Sequence, residues 1–61
     1  MPEVVVYALG GRPQDQKKGL MKDITEAVVK NFGVKIEAVT VQIVESQKDS
    51  KAKGGVPFSE R

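Results

Sequence analysis

Three stretches of the chain carry a hydrophobic pattern, and each favours a different element. Val4 to Leu9 reads Val-Val-Val-Tyr-Ala-Leu, a run of β-formers without polar alternation, stopped by Gly10-Gly11. A continuous apolar run of that length suits a strand covered on both faces. Gln14 to Phe32 has the helical period instead. Leu20, Met21, Ile24, Ala27, Val28 and Phe32 fall on one broad stripe, and Lys18, Lys22, Glu26 and Lys30 line the far side. Pro13 suits a first helical turn, Asp15 complements the positive end of the dipole, and Gly33 is a good stop. Ile36 to Glu45 alternates as a second strand, with Val39, Val41 and Ile43 on one face and Thr40, Gln42 and Val44 on the other.

Strand, helix and strand in that order predict a βαβ unit of α/β (α+β) class, with parallel strands and a right-handed crossover. Ser46 to Lys53 reads as a polar loop, and Gly54-Gly55-Val56-Pro57-Phe58 as a short extended or hairpin tail. No repeat or linker divides the chain, so residues 1–61 are expected to form one domain. Two strands and one helix leave a sheet face uncovered and the edges open. Association with copies of itself or a close relative is therefore expected from packing alone.

Composition narrows the chemistry. Hydrophobic residues make up 39% of the chain, and there is neither Cys nor His. Disulfides, a thiolate zinc site and the usual neutral-pH base are thereby absent. Ten Lys and Arg against eight Asp and Glu give a net charge of +2. That is too weak to point to nucleic acid, and the lysines of 48–53 have no interleaved aromatics. The longest apolar run has six residues and no basic segment precedes an apolar one, so no membrane span or secretory signal is expected. The default compartment is the cytoplasm.

Without His or Cys, a base near pH 7 must be a carboxylate, a lysine or the chain's own amine. The α-amino group, with an ordinary pKa of about 7.7–8.0, lies nearest neutrality. Position 2 is proline, and removal of Met1 would expose a secondary amine among Val4, Val6 and the second strand. Met-Pro is also a common start with no chemical role. Arg12, following Leu9-Gly10-Gly11 beside the helix start, is a candidate carboxylate ligand or a plain surface arginine.

Pro2, the apolar strand, Leu9-Gly10-Gly11-Arg12, Asp15-Gln16-Lys17 opening a helix with Glu26-Ala27-Val28, and Gly54-Gly55 together resemble the 4-oxalocrotonate tautomerase family. The similarity spans nearly the whole chain. It implies a β-α-β tautomerase protomer that pairs into a four-stranded sheet, three pairs making a hexamer. It also implies a cofactor-independent, metal-free isomerase that interconverts an enol or dienol with a 2-keto acid. In family members of this kind the processed amino-terminal proline is the base. By position, Pro2 would be that base, Arg12 would bind a substrate carboxylate, and the backbone near Leu9 would line the site.

Three positions depart from the family pattern. Thr40 stands where a second substrate arginine is expected, Lys51 where an aromatic wall is expected, and Pro13 where Ser or Thr would cap the helix. Lys51 could replace the lost arginine or simply be solvated. Three readings follow. The first is a tautomerase of altered substrate range, with a place in aromatic catabolism. The second is a proline-based hydratase, dehalogenase or decarboxylase. The third is a non-catalytic or complementary subunit of a hetero-hexamer rather than a homo-hexamer.

Overall fold

The computed structural model describes residues 1–60. Strand β1 (Glu3–Leu9) leads into helix α1 (Gln14–Phe32), which returns the chain to strand β2 (Thr40–Ser46). β1 and β2 pair in parallel, from Glu3 opposite Thr40 to Leu9 opposite Ser46. Gly10 extends the ladder by one bond, its N–H donating to the Ser46 carbonyl at 2.9 Å. The βαβ expectation is met, and the helix has the limits that its periodicity predicts.

Both ends of α1 follow from local chemistry. Pro13 is the N-cap, not a first-turn residue, and it offers no side-chain cap. Its carbonyl accepts the first helical bond, from Lys17 N–H at 3.3 Å. At the other end Gly33 takes the left-handed conformation (φ 66°) and donates its N–H to Val29. Only glycine does this without a Cβ penalty.

The second strand starts later than its sequence pattern suggests. Residues Ile36–Ala38 form a 3₁₀ turn, closed by bonds from Ala38 N–H to Lys35 and from Val39 N–H to Ile36. The reason is register. Thr40 already faces Glu3, so residues before it have no strand partner and satisfy their amides locally. The expected polar loop is also more ordered than its composition implies. It holds a 3₁₀ turn at Lys48–Ser50 and strand β3 (Ala52–Lys53), which pairs antiparallel with β4 (Val56–Pro57). Gly54 and Gly55, both at positive φ, make the two-residue turn of this C-terminal hairpin.

The apolar run of β1 is not covered on both faces in the protomer. Val4, Val6 and Ala8 are half-buried towards the helix, whereas Val5 (41% exposed) and Tyr7 (74% exposed) lie on the open face. Helix α1 packs over β2 rather than β1. Its half-buried residues are Lys17, Met21, Ile24, Thr25, Val28 and Val29, while Leu20, Ala27 and Phe32 of the expected stripe are exposed. Two strands about 5 Å apart are narrower than the helix they must cover, whose diameter is about 10 Å. Among the described residues none is fully buried. The radius of gyration is 14.7 Å, against about 10.5 Å for a compact chain of this length. Among the described residues no helix is long and apolar enough to cross a membrane.

Candidate active site

The carboxyl ends of the two parallel strands, where such folds commonly place ligands, carry a partly enclosed cleft. Its volume is about 380 Å³. Val6, Ala8 and Leu9 from β1, Leu20 from α1 and Ile43 from β2 form an apolar wall. Arg12, Gln16, Lys17 and Glu45 form a polar mouth. The cleft exists because the helix leans over β2 and leaves the β1 side of the sheet open. Two residues expected at a site, Leu9 and Arg12, therefore meet in one cavity.

The other three lie elsewhere. Pro2 is half-buried just ahead of β1, and its carbonyl accepts the Thr40 N–H at 3.0 Å. Thr40 opens β2 at that same end, opposite Glu3, with its side chain exposed. Pro2 and Arg12 are thus separated by the whole of β1, seven residues. At about 3.3 Å per residue that is more than 20 Å. Lys51 is exposed beside the hairpin, where its carbonyl accepts the Phe58 N–H at 2.8 Å.

Two residues in the cleft had no site role in the sequence reading. Lys17 Nζ donates to Glu45 Oε1 at 2.8 Å, joining the first turns of α1 to the end of β2. Both side chains also border a second cleft of about 290 Å³, on the β2 side of the helix, together with Gln14, Met21 and Val41. The ion pair is a bar between the two. Glu45 stands opposite Ala8 in the parallel register, on the helix side of the sheet. A signal for it existed in the sequence, as a charge closing the apolar face of Val39, Val41 and Ile43, but its partner lies 28 residues away. Among the described residues no cluster of three metal-ligating side chains occurs.

The chain as a whole has known counterparts. A family model described as tautomerase enzyme matches residues 2–61. A probable tautomerase of Bradyrhizobium diazoefficiens is 51% identical over 61 residues, covering 100% of this chain and 91% of that protein. The 2-hydroxymuconate tautomerase of Bacillus subtilis is 40% identical over 60 residues, covering 98% of this chain and 97% of its own. Among solved structures, a 4-oxalocrotonate tautomerase homologue superposes with a TM-score of 0.94 at 36% identity, covering 100% of this chain and 97% of that one. A heterohexameric 4-oxalocrotonate tautomerase from Chloroflexus aurantiacus superposes at 0.87 with 27% identity, covering 98% and 97%.

Proposed function

The chain belongs to the tautomerase family, and from that premise we propose that it is a cofactor-independent isomerase acting on an enol or dienol of a 2-keto acid. Once Met1 is removed, the secondary amine of Pro2 is the base. It takes the proton of the substrate's 2-hydroxyl group, the electron pair of the enol shifts to carbon, and the resulting ammonium returns a proton there. One O–H bond breaks, one C–H bond forms, and the amine is regenerated. Arg12 holds the substrate carboxylate through its planar fork of donors, beside the apolar wall that includes Leu9.

The observation that carries this reading is the placement of Pro2. Its carbonyl is tied to Thr40 N–H, so its ring nitrogen is held at the start of the sheet while remaining outside the ladder. The distance to Arg12, more than about 20 Å along β1, means that one small substrate cannot touch both in one chain. The site is therefore built between copies. Pairing of protomers into a four-stranded sheet, and of pairs into a homo- or hetero-hexamer, brings the Pro2 end of one copy to the Arg12 end of another. The absence of fully buried residues among those described supports the same assembly, as does the heterohexameric state of the Chloroflexus relative.

A second reading rests on Thr40, which supplies no cation at the start of β2. In it the chain is the complementary or non-catalytic subunit of a hetero-hexamer, and a related chain supplies the second arginine. Lys51, exposed beside the hairpin, is the other source of that charge. Purified protein lacking Met1, assayed alone on phenylenolpyruvate and 2-hydroxymuconate, separates the two readings. The isomerase reading expects ketonisation above buffer and loss of most of it in Pro2→Ala. Equal rates in both proteins overturn it.

A further inference from the structure

The cleft at Arg12 contains a second cation that is already engaged. Lys17 Nζ sits 2.8 Å from Glu45 Oε1, and both side chains line the cavity that Arg12 lines. The other oxygen of the same carboxylate lies over Gly10, 3.7 Å from where a Cβ on that glycine would stand. Glu45 thus presents its carboxylate at the end of the cleft, between Gly10 at the exit of β1 and the lysine on the helix. The two side chains are 22% and 32% exposed, enclosed enough for the charges to feel each other and open enough to exchange partners with a solute.

We infer that Glu45 is a specificity-determining residue: an internal carboxylate that occupies Lys17 and leaves Arg12 as the one cation of this cleft free to bind a substrate. A dicarboxylate needs a cation for each end, and with Lys17 engaged it finds one at this cleft. A monocarboxylate loses nothing, because its apolar remainder lies against Val6, Leu20 and Ile43. The pair is also the bar between the two clefts flanking the helix. Releasing it frees a cation and lengthens the space available to a second carboxylate. The inference rests on Arg12 being the carboxylate anchor proposed above.

The test measures equilibrium binding, which does not depend on Pro2. Benzoate and terephthalate are titrated into the processed, assembled protein by calorimetry. Glu45→Gln should tighten terephthalate relative to benzoate by about three- to tenfold, the range for one added charge-assisted contact at a half-exposed site. Glu45→Ala, which also frees Lys17, should shift the ratio the same way and guards against a fault peculiar to one variant. Adding Lys17→Met to Glu45→Gln should abolish the gain. An unchanged ratio in both Glu45 variants, or a gain that persists without Lys17, overturns the inference. Arg12→Ala separates the role of Arg12 from that of Glu45. If benzoate binding is indifferent to it, the anchor itself is wrong; if binding needs Arg12 while the ratio stays fixed, only the role of Glu45 fails.

Discussion

Thr40 donates its backbone N–H to the carbonyl oxygen of Pro2 at 3.0 Å, one residue ahead of the first paired position of the sheet, Glu3 opposite Thr40. The bond engages the proline through its carbonyl and the threonine through its amide. Neither the Pro2 nitrogen nor the Thr40 side chain takes part. Both can therefore be altered chemically while the start of the ladder stays in place, and this separates chemistry from folding in the experiments below.

Processing of Met1 is the first of these. While Met1 is attached, the Pro2 nitrogen is an amide without basicity. Met1 is 91% exposed, so its peptide bond is open to an aminopeptidase. Protein of full intact mass should be folded and inactive, and the same preparation trimmed by one methionine should gain ketonisation activity. Equal activity in the two forms, compared by mass spectrometry and initial rates, would remove Pro2 as the base.

Much of this protomer was legible in its sequence. The period-3.6 stripe and Gly33 bounded the helix, because each acts within a few residues. The start of β2 was not legible, since Ile36 alternates as well as Val41 does. What excludes it from the strand is register against β1, a contact across more than thirty residues. Coverage of β1 failed for a related reason: Val5 and Tyr7 belong to the same unbroken run as Val4 and Val6, and only the count of elements shows that one face lacks a cover. Of the candidate site residues, Leu9 and Arg12 stand three apart in one motif and share a cleft. The Lys17–Glu45 bar was invisible, because charges 28 residues apart carry no joint signal until the fold brings them together.

The open face of the sheet makes a prediction about assembly. Tyr7 is 74% exposed there, beside Val5 and opposite Val44. Should copies cover this face, Tyr7→Asp would bury a carboxylate without a partner, at a cost of several kcal/mol. Sedimentation velocity at micromolar protomer should then show the wild type as an oligomer and the variant as smaller, less helical species. An unchanged sedimentation coefficient would place the interface elsewhere.

Gly33 tests a purely conformational contribution. A Cβ built there meets nothing within 4 Å, yet φ is +66°. Gly33→Ala should therefore cost about 1 kcal/mol through backbone strain alone. Chemical denaturation at equal protomer concentration measures this, and activity per folded protein should be unchanged. A loss of several kcal/mol would reveal a packing role in the assembly.

Substitution at Thr40 tests the proposed substrate choice. A dicarboxylate dienol is held best by two cations, and one charge-assisted hydrogen bond contributes about 1.5–3 kcal/mol. Thr40 offers one neutral hydroxyl and no bidentate fork, so it cannot replace a guanidinium. At about 1.4 kcal/mol per tenfold, the missing charge should weaken dicarboxylate turnover by roughly ten- to a hundredfold relative to a two-arginine relative. Monocarboxylate enols should suffer less. Thr40→Arg ought then to raise kcat/KM for 2-hydroxymuconate selectively over phenylenolpyruvate. The main-chain bond to Pro2 is retained by any non-proline residue at this position, so Pro2 stays where it was. If the ratio of the two kcat/KM values does not move, position 40 does not face the substrate, or a second cation is already present there. Repeating Thr40→Arg in a Lys51→Ala background decides between those outcomes. A ratio that moves only when Lys51 is gone would identify that lysine as the second cation, and a ratio that still does not move would exclude position 40 from the site.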